Sequence, residues 1–256
     1  VVGLDDAASL TAGKAHACAV RASGKVWCWG ENLGGEFLPG TTEWVISSHP
    51  APHEIPGISE ALGVAAGGVF SCARTNAGGA RCWGNNTIGQ LGDGGRPYRL
   101  APTEVIGIST ATKLSAGSYH TYAMRSSGDV LAWGGDTAAQ LGDGEDSVFH
   151  SLAVKVAGIA GAQDVVAGAF HGCALMADNT VRCWGENKFG QLGLGKLSPL
   201  VATPTTVPNL TGVTKIRAGV QWTCAVLTDG GVKCWGSNKV AVSPQGTVFS
   251  TTKPVT

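Results

Sequence analysis

The dipeptide Ala-Gly recurs at Gly13, Gly67, Gly117, Gly168 and Gly219, and a Trp-Gly stands sixteen residues after each, at Trp29, Trp83, Trp133, Trp184 and Trp235. The intervals are 54, 50, 51 and 51 residues. A period this long and regular confines the chain to one supersecondary unit used five times over. Each unit reads as four short strands. One leads into Ala-Gly, as in Val165-Val166-Ala167-Gly168, and a hairpin such as 171–175 with 180–184 follows across an Asp/Asn/Gly turn. A loop then carries Gly89-Gln90-Leu91-Gly92-Asp93-Gly94 or its counterparts at 139–144 and 190–193, and a Pro/Val segment such as 101–107 supplies the fourth strand. Four strands per unit of about fifty residues, repeated radially, is the pattern of a β-propeller. Residues 1–256 therefore read as one all-β domain of five repeats of about 51 residues, each a four-stranded blade.

Residues 252–256 match the first half of the segment between repeats and residues 1–5 the second half. The count from Gly219 through residue 256 and on to Gly13 is again 50 residues. The expectation is a five-bladed ring closed by pairing of the N- and C-terminal segments, which would remove the open sheet edges.

Eight cysteines fall into four pairs of one spacing, Cys18/Cys28, Cys72/Cys82, Cys173/Cys183 and Cys224/Cys234, each straddling a hairpin turn. Residues equidistant from a hairpin centre face one another on one side of the sheet. Repeat three tests the pairing from within, because both cysteines are replaced together, by Tyr122 and Ala132. Zinc sites, the competing reading, need four ligands in one place, usually with closer cysteine spacing. Disulfides are the favoured reading, each adding roughly 2–3 kcal/mol in the chain-entropy model for so short a loop. They place the protein in an oxidising compartment: secreted, periplasmic or at the cell surface.

Composition narrows the function classes. Eighteen basic residues balance eighteen acidic ones, and only 14 % of residues are charged, which argues against nucleic acid as a partner. With 43 % apolar residues the chain can bury a core, and no apolar run is long enough for a membrane span. With 39 glycines, long helices have little room. Val1-Val2-Gly3-Leu4 has neither a basic start nor a cleavage site, so any leader is expected to be already removed or never present.

The Ala-Gly, His-x-Cys-Ala-Leu, Cys-Trp-Gly-x-Asn and Gly-Gln-Leu-Gly-Asp-Gly elements resemble the regulator of chromosome condensation repeat family, with 167–195 following its pattern nearly residue by residue. The cysteine-bearing version is similar to the exported, bacterial branch of that family. Its members commonly carry seven blades, and its eukaryotic founder is a nucleotide-exchange factor for a small GTPase that touches chromatin. The resemblance implies a rigid disc that binds protein. It does not fix an activity.

The repeated Trp reads as blade core. Asn32, Asn86, Asn187, Asn238, Asp136, Gln90, Gln140 and Gln191 read as loop-holding residues. Three residues after each repeat glycine stand His16, Phe70, His120, His171 and Trp222, a ring expected near the mouth of the central tunnel and taken as a candidate binding surface. Three imidazoles suit zinc or copper, but spacing around a ring sets His16 apart, so no metal and no cofactor are expected. Repeat one departs from the pattern at Phe37 and Trp44, and repeat five around 240–244. If these blades are neighbours, Phe37, Trp44 and Trp222 form an aromatic binding patch. No Gly-x-Ser-x-Gly, His-Glu-x-x-His or phosphate loop occurs, and the acidic residues such as Asp93, Asp143 and Glu145 lie in loop motifs. The sequence thus points to an exported, non-enzymatic propeller that binds another protein through one face. A glycan-binding propeller with one site per blade, and a self-assembling surface subunit, stand as alternatives.

Overall fold

The structure, a computed structural model, describes residues 1, 3–32, 48–237 and 250–255. Phe37, Trp44 and Asn238 lie outside the described residues. Twenty strands form five four-stranded antiparallel sheets, each contiguous in sequence. Blade one is β1 Ala7–Ala12, β2 His16–Arg21, β3 Val26–Glu31 and β4 Ser48–Ile55; blade two is β5 Ala61–Ala66, β6 Phe70–Thr75, β7 Ala80–Gly84 and β8 Arg99–Glu104. Blade three is β9 Ala111–Ala116, β10 His120–Arg125, β11 Val130–Gly135 and β12 Phe149–Lys155. Blade four is β13 Ala162–Ala167, β14 His171–Met176, β15 Val181–Asn187 and β16 Ser198–Thr206. Blade five is β17 Val213–Ala218, β18 Trp222–Leu227, β19 Val232–Ser237 and β20 Ser250–Val255.

The central hairpin of each blade turns through a residue with positive φ, Gly in four blades (Gly24, 78°) and Asn179 in blade four (59°). Only Gly, or Asn at small cost, enters that region readily. Turn length sets register, so Cys18 faces Cys28, Cys72 faces Cys82, Cys173 faces Cys183, Cys224 faces Cys234 and Tyr122 faces Ala132. All four disulfides form, with Cα atoms 4.0–4.1 Å apart, the close spacing of directly opposed residues.

The core lies between blades rather than within them. Among the described residues there are four apolar clusters, one at each junction of consecutive blades. The first joins Cys18, Val20, Val26 and Ile55 of blade one to Ala73 and Trp83 of blade two. Each interface is directional. The indole Nε1 of Trp133, Trp184 and Trp235 donates to the main-chain carbonyl of Gln90, Gln140 and Gln191 in the preceding blade, at 3.0, 3.0 and 2.9 Å. Near the axis, Lys14 N donates to Gly67 O, Gly68 N to Ser118 O, Ser118 N to Ala169 O and Ala169 N to Val220 O, at 3.2–3.3 Å. These bonds and the Trp burial, worth several kcal/mol per interface, fix each blade on the next.

The expected closure does not occur. β20 pairs with β19 and β1 with β2, and among the described residues the terminal segments do not pair with one another. Leu10 of β1 is 69 % exposed, whereas Val165 and Ile216 at the same repeat position are fully buried. Val232 is 49 % exposed, against complete burial of Val26, Val130 and Val181. Trp29 and Trp222 are half-buried in keeping with this: among the described residues, no strand of another blade packs before blade one or after blade five as consecutive blades pack on one another. The described blades make an arc.

Candidate functional site

Because strands alternate in direction, the Gly turns after each first strand and the long loops between third and fourth strands open on the same face. The first strands β1, β5, β9, β13 and β17 pack on one another along the axis. They line a groove of 480 Å³ that includes Ser9, Thr11, Arg74, Lys113, Ser115 and Arg217. Asp164 is the acid at this wall: it pairs with Lys113 and lies 3.8 Å from Arg217. The groove is hydroxyl-rich and basic.

The five residues expected at the tunnel mouth are not a surface. Phe70, His120 and His171 are completely buried, His16 is nearly so, and Trp222 is half-buried. Each ring lies against the glycine three residues upstream. A Cβ added at Gly67 would stand 2.2 Å from the Phe70 ring, and one at Gly168 would stand 2.1 Å from His171. That close approach is why Ala-Gly recurs. The rings then reach into the next blade: His16 Nε2 bonds Ser71 Oγ at 2.8 Å and His171 Nε2 bonds Thr223 Oγ1 at 2.9 Å. Burial holds the His16 and His171 pKa values down at about 4. It brings His120 to about 3, helped by the neighbouring His171. All three are neutral at pH 7; His16 and His171 latch their blades to the next, and His120 is buried without such a bond.

The loop-holding residues do what their types suggest. Asn86 Oδ1 accepts from Leu91 N and Gln90 Oε1 from Ile88 N, both at 3.0 Å, and Asp136 and Asn187 repeat the first bond. The Trp-Gly tryptophans of blades two to five are buried packing groups, so they offer no aromatic platform of the kind one glycan site per blade requires.

The exposed and half-buried apolar residues on this face sit one or two positions away from those singled out by the repeat; Tyr119 and Val220 are exposed, Val69 and Phe170 half-buried. Val69, Tyr119 and Phe170 immediately precede the buried ring residues. Tyr119 is 39 % exposed, and its ring lies 6.1 Å from that of Phe170 across the junction of blades three and four. Val220 of blade five, 68 % exposed, extends the series. The signal was available in the period-two rule: a neighbour of a buried strand-start residue points the other way.

Fold and site together define a β-propeller arc, stapled by hairpin disulfides and presenting an apolar crest beside a basic axial groove. The chain belongs to the regulator of chromosome condensation (RCC1) repeat family. Two family models with that description match it, one at residues 7–36, 111–140, 162–191 and 213–240, the other at 78–124 and 178–226. It is 29 % identical over 266 residues to the bovine (Bos taurus) secretion-regulating guanine nucleotide exchange factor, covering 93 % of this chain and 46 % of that protein. Human WBSCR16 superposes with a TM-score of 0.83 at 22 % identity, over 96 % of this chain and 65 % of that one. Prp20p from Saccharomyces cerevisiae gives 0.83 at 22 %, over 97 % and 62 %. The chain thus spans less than half of that curated relative and under two thirds of these solved structures.

Proposed function

We propose that this chain is a non-enzymatic, protein-binding propeller of an oxidising, extracytoplasmic compartment, and that it engages its partner with the long-loop face. The observation that carries the reading is the apolar crest of Tyr119, Phe170 and Val220, contributed by three successive blades to one face. Apolar groups in series on the rim of a rigid disc are a protein-binding feature, and Tyr is a frequent interface anchor. Prp20p, of the same fold, has binding properties toward Gsp1p and histones. The four disulfides support the compartment. The fold itself supports a scaffold rather than a catalyst, since its buried histidines are committed to blade-to-blade contacts.

The test is capture from the extracytoplasmic fraction of the source cells, comparing the wild-type chain with Tyr119→Asp/Phe170→Asp and with Leu200→Asp on the outer strand β16. Loss of a stoichiometric partner in the first variant and retention in the second is the expected result. Equal capture by all three places the binding surface elsewhere. Alkylation of the unreduced protein from the same source should find no free thiol; labelling of all eight cysteines would overturn the compartment.

A further inference from the structure

The loops joining third to fourth strands carry one constellation in three versions. In blade two it is a closed set: Asn86 Nδ2 and Gly95 N donate to Asp93 Oδ1 at 2.9 Å, and Arg99 Nε donates to Asp93 Oδ2 at 2.6 Å. Blade four has Asn187, Leu194 and Val201 in the same places, none of them charged. Blade three has Asp136, Asp143 and His150, and Glu145 stands where blade two has Gly95 and blade four Lys196. The equivalence is fixed by register, since Arg99 is opposite Gly84 as His150 is opposite Gly134. An amide has become a carboxylate, a guanidinium an imidazole, and a glycine a second carboxylate. Each change exchanges a donor, or no side chain at all, for a group that can hold a cation.

The packing gives only some of those groups hydrogen-bond partners. Asp136 is occupied by Leu141 N and Ser147 Oγ, both at 2.8 Å, and Asp143 Oδ1 by Glu145 N at 3.0 Å. Asp143 Oδ2 and His150 Nε2, both shielded from solvent, face one another at 3.2 Å, yet neither makes a hydrogen bond. The Asp143 side chain is only 9 % exposed. Buried polar atoms in this state are uncommon and call for a missing partner. Glu145 Oε2 stands 4.0 Å from the same nitrogen, and the ligand atoms of all three residues lie within 4.8 Å of one another. Ligands bound at about 2.1 Å to a tetrahedral ion stand about 3.4 Å apart, a value between the two distances measured to His150.

We propose that Asp143 Oδ2, Glu145 Oε2 and His150 Nε2 bind one divalent transition-metal ion, with Zn²⁺ as the reference ion and water completing the coordination. One imidazole nitrogen with two carboxylate oxygens suits such an ion better than Ca²⁺ or Mg²⁺, whose sites are built of oxygen alone. The ion ties the blade-three loop to β12 as the Arg99–Asp93 ion pair ties its counterpart in blade two.

The test titrates Zn²⁺ into untagged, chelator-stripped protein by calorimetry, with Co²⁺ absorption as an independent signal. One saturable site per chain is expected. His150→Arg installs the blade-two solution, keeps the fold by far-ultraviolet circular dichroism, and should weaken binding by about 100-fold or more; Glu145→Gly, an exposed change that does not threaten folding, should weaken it about tenfold. His53→Gln addresses the other imidazole pair, His49 and His53, whose ring centroids are 5.1 Å apart, and should change nothing. No saturable heat with the wild-type chain, unchanged affinity in His150→Arg or Glu145→Gly, or loss of binding in His53→Gln would each overturn the site.

Discussion

Blades two and three differ at one hairpin, and the difference reaches into their neighbours. Blade two closes its hairpin with Cys72–Cys82, whereas blade three packs Tyr122 against Ala132. Where a disulfide is present, the following blade carries a hydroxyl beside it: Ser71 follows blade one and Thr223 follows blade four, each bonded to a histidine. Behind Tyr122 that position is Gly172, and a Cβ there would lie 2.3 Å from the tyrosine hydroxyl. In blade five Thr223 Oγ1 donates to Gln191 O at 2.9 Å; in blade three the Tyr122 hydroxyl donates to Gln140 O from the opposite side of the junction. The acceptor stays and the donor changes blades. His120 is the residue left over, with neither ring nitrogen hydrogen bonded. A disulfide in this fold is thus one part of a three-residue interface set, two cysteines and the hydroxyl of the next blade, exchanged together for Tyr122, Ala132 and Gly172.

The largest expected effect concerns the histidines. In the unfolded chain each takes a proton near 6.5; in the folded chain His16 and His171 resist until about 4 and His120 until about 3. Their contribution is complete above pH 6.5 and is lost as pH falls through the interval down to the folded values, on the order of 3 kcal/mol for each ring. Denaturant midpoints measured from pH 7 to pH 4.5 should fall steeply, and a flat profile would refute the latch reading. His120→Phe sharpens the contrast, because Phe70 already fills the equivalent place: it should remove the His120 share of the fall, leaving that of His16 and His171, without loss of stability at pH 7. Next in size is Gly172→Ser, which forces an atom into the space of Tyr122 and should cost about 3 kcal/mol or more. In a Tyr122→Cys/Ala132→Cys background the same change should stabilise, and additivity of the two in a double-mutant cycle would break the idea of an exchanged set. Cys72→Ala/Cys82→Ala should cost about 2–3 kcal/mol in urea unfolding. Tyr122→Phe, losing one hydroxyl bond, should cost about 1 kcal/mol.

Much of this architecture could be read from the residues. The period gave blade number and strand count, and the paired loss of cysteines at Tyr122 and Ala132 identified the disulfides. What stayed hidden depends on how one blade meets the next, which periodicity does not encode. His16, Phe70, His120 and His171 were expected at a surface because strand starts near an axis look exposed in a single blade; the following blade buries them. Closure through the termini was inferred from matching segments, but β20 pairs with β19 and β1 with β2. Asp143 and Glu145 were visible only as loop acids. Their convergence on His150 depends on β12 pairing back to β11.

The tryptophan-to-carbonyl bonds run back to the preceding blade and the histidine-to-hydroxyl bonds run forward to the next, so the arc has a polarity, like a protofilament with two unlike ends. At the blade-one end Trp29 is half-buried and Leu10 exposed; at the blade-five end Trp222 is half-buried and Val232 exposed. Any sheet that continues the arc at the first end must bring a loop carbonyl in the place of Gln90, and at the second a first strand to cover Val232. Such interfaces are head-to-tail and carry no two-fold symmetry, so copies added by internal duplication fit both neighbours at once, whereas a face-to-face pairing of like ends does not.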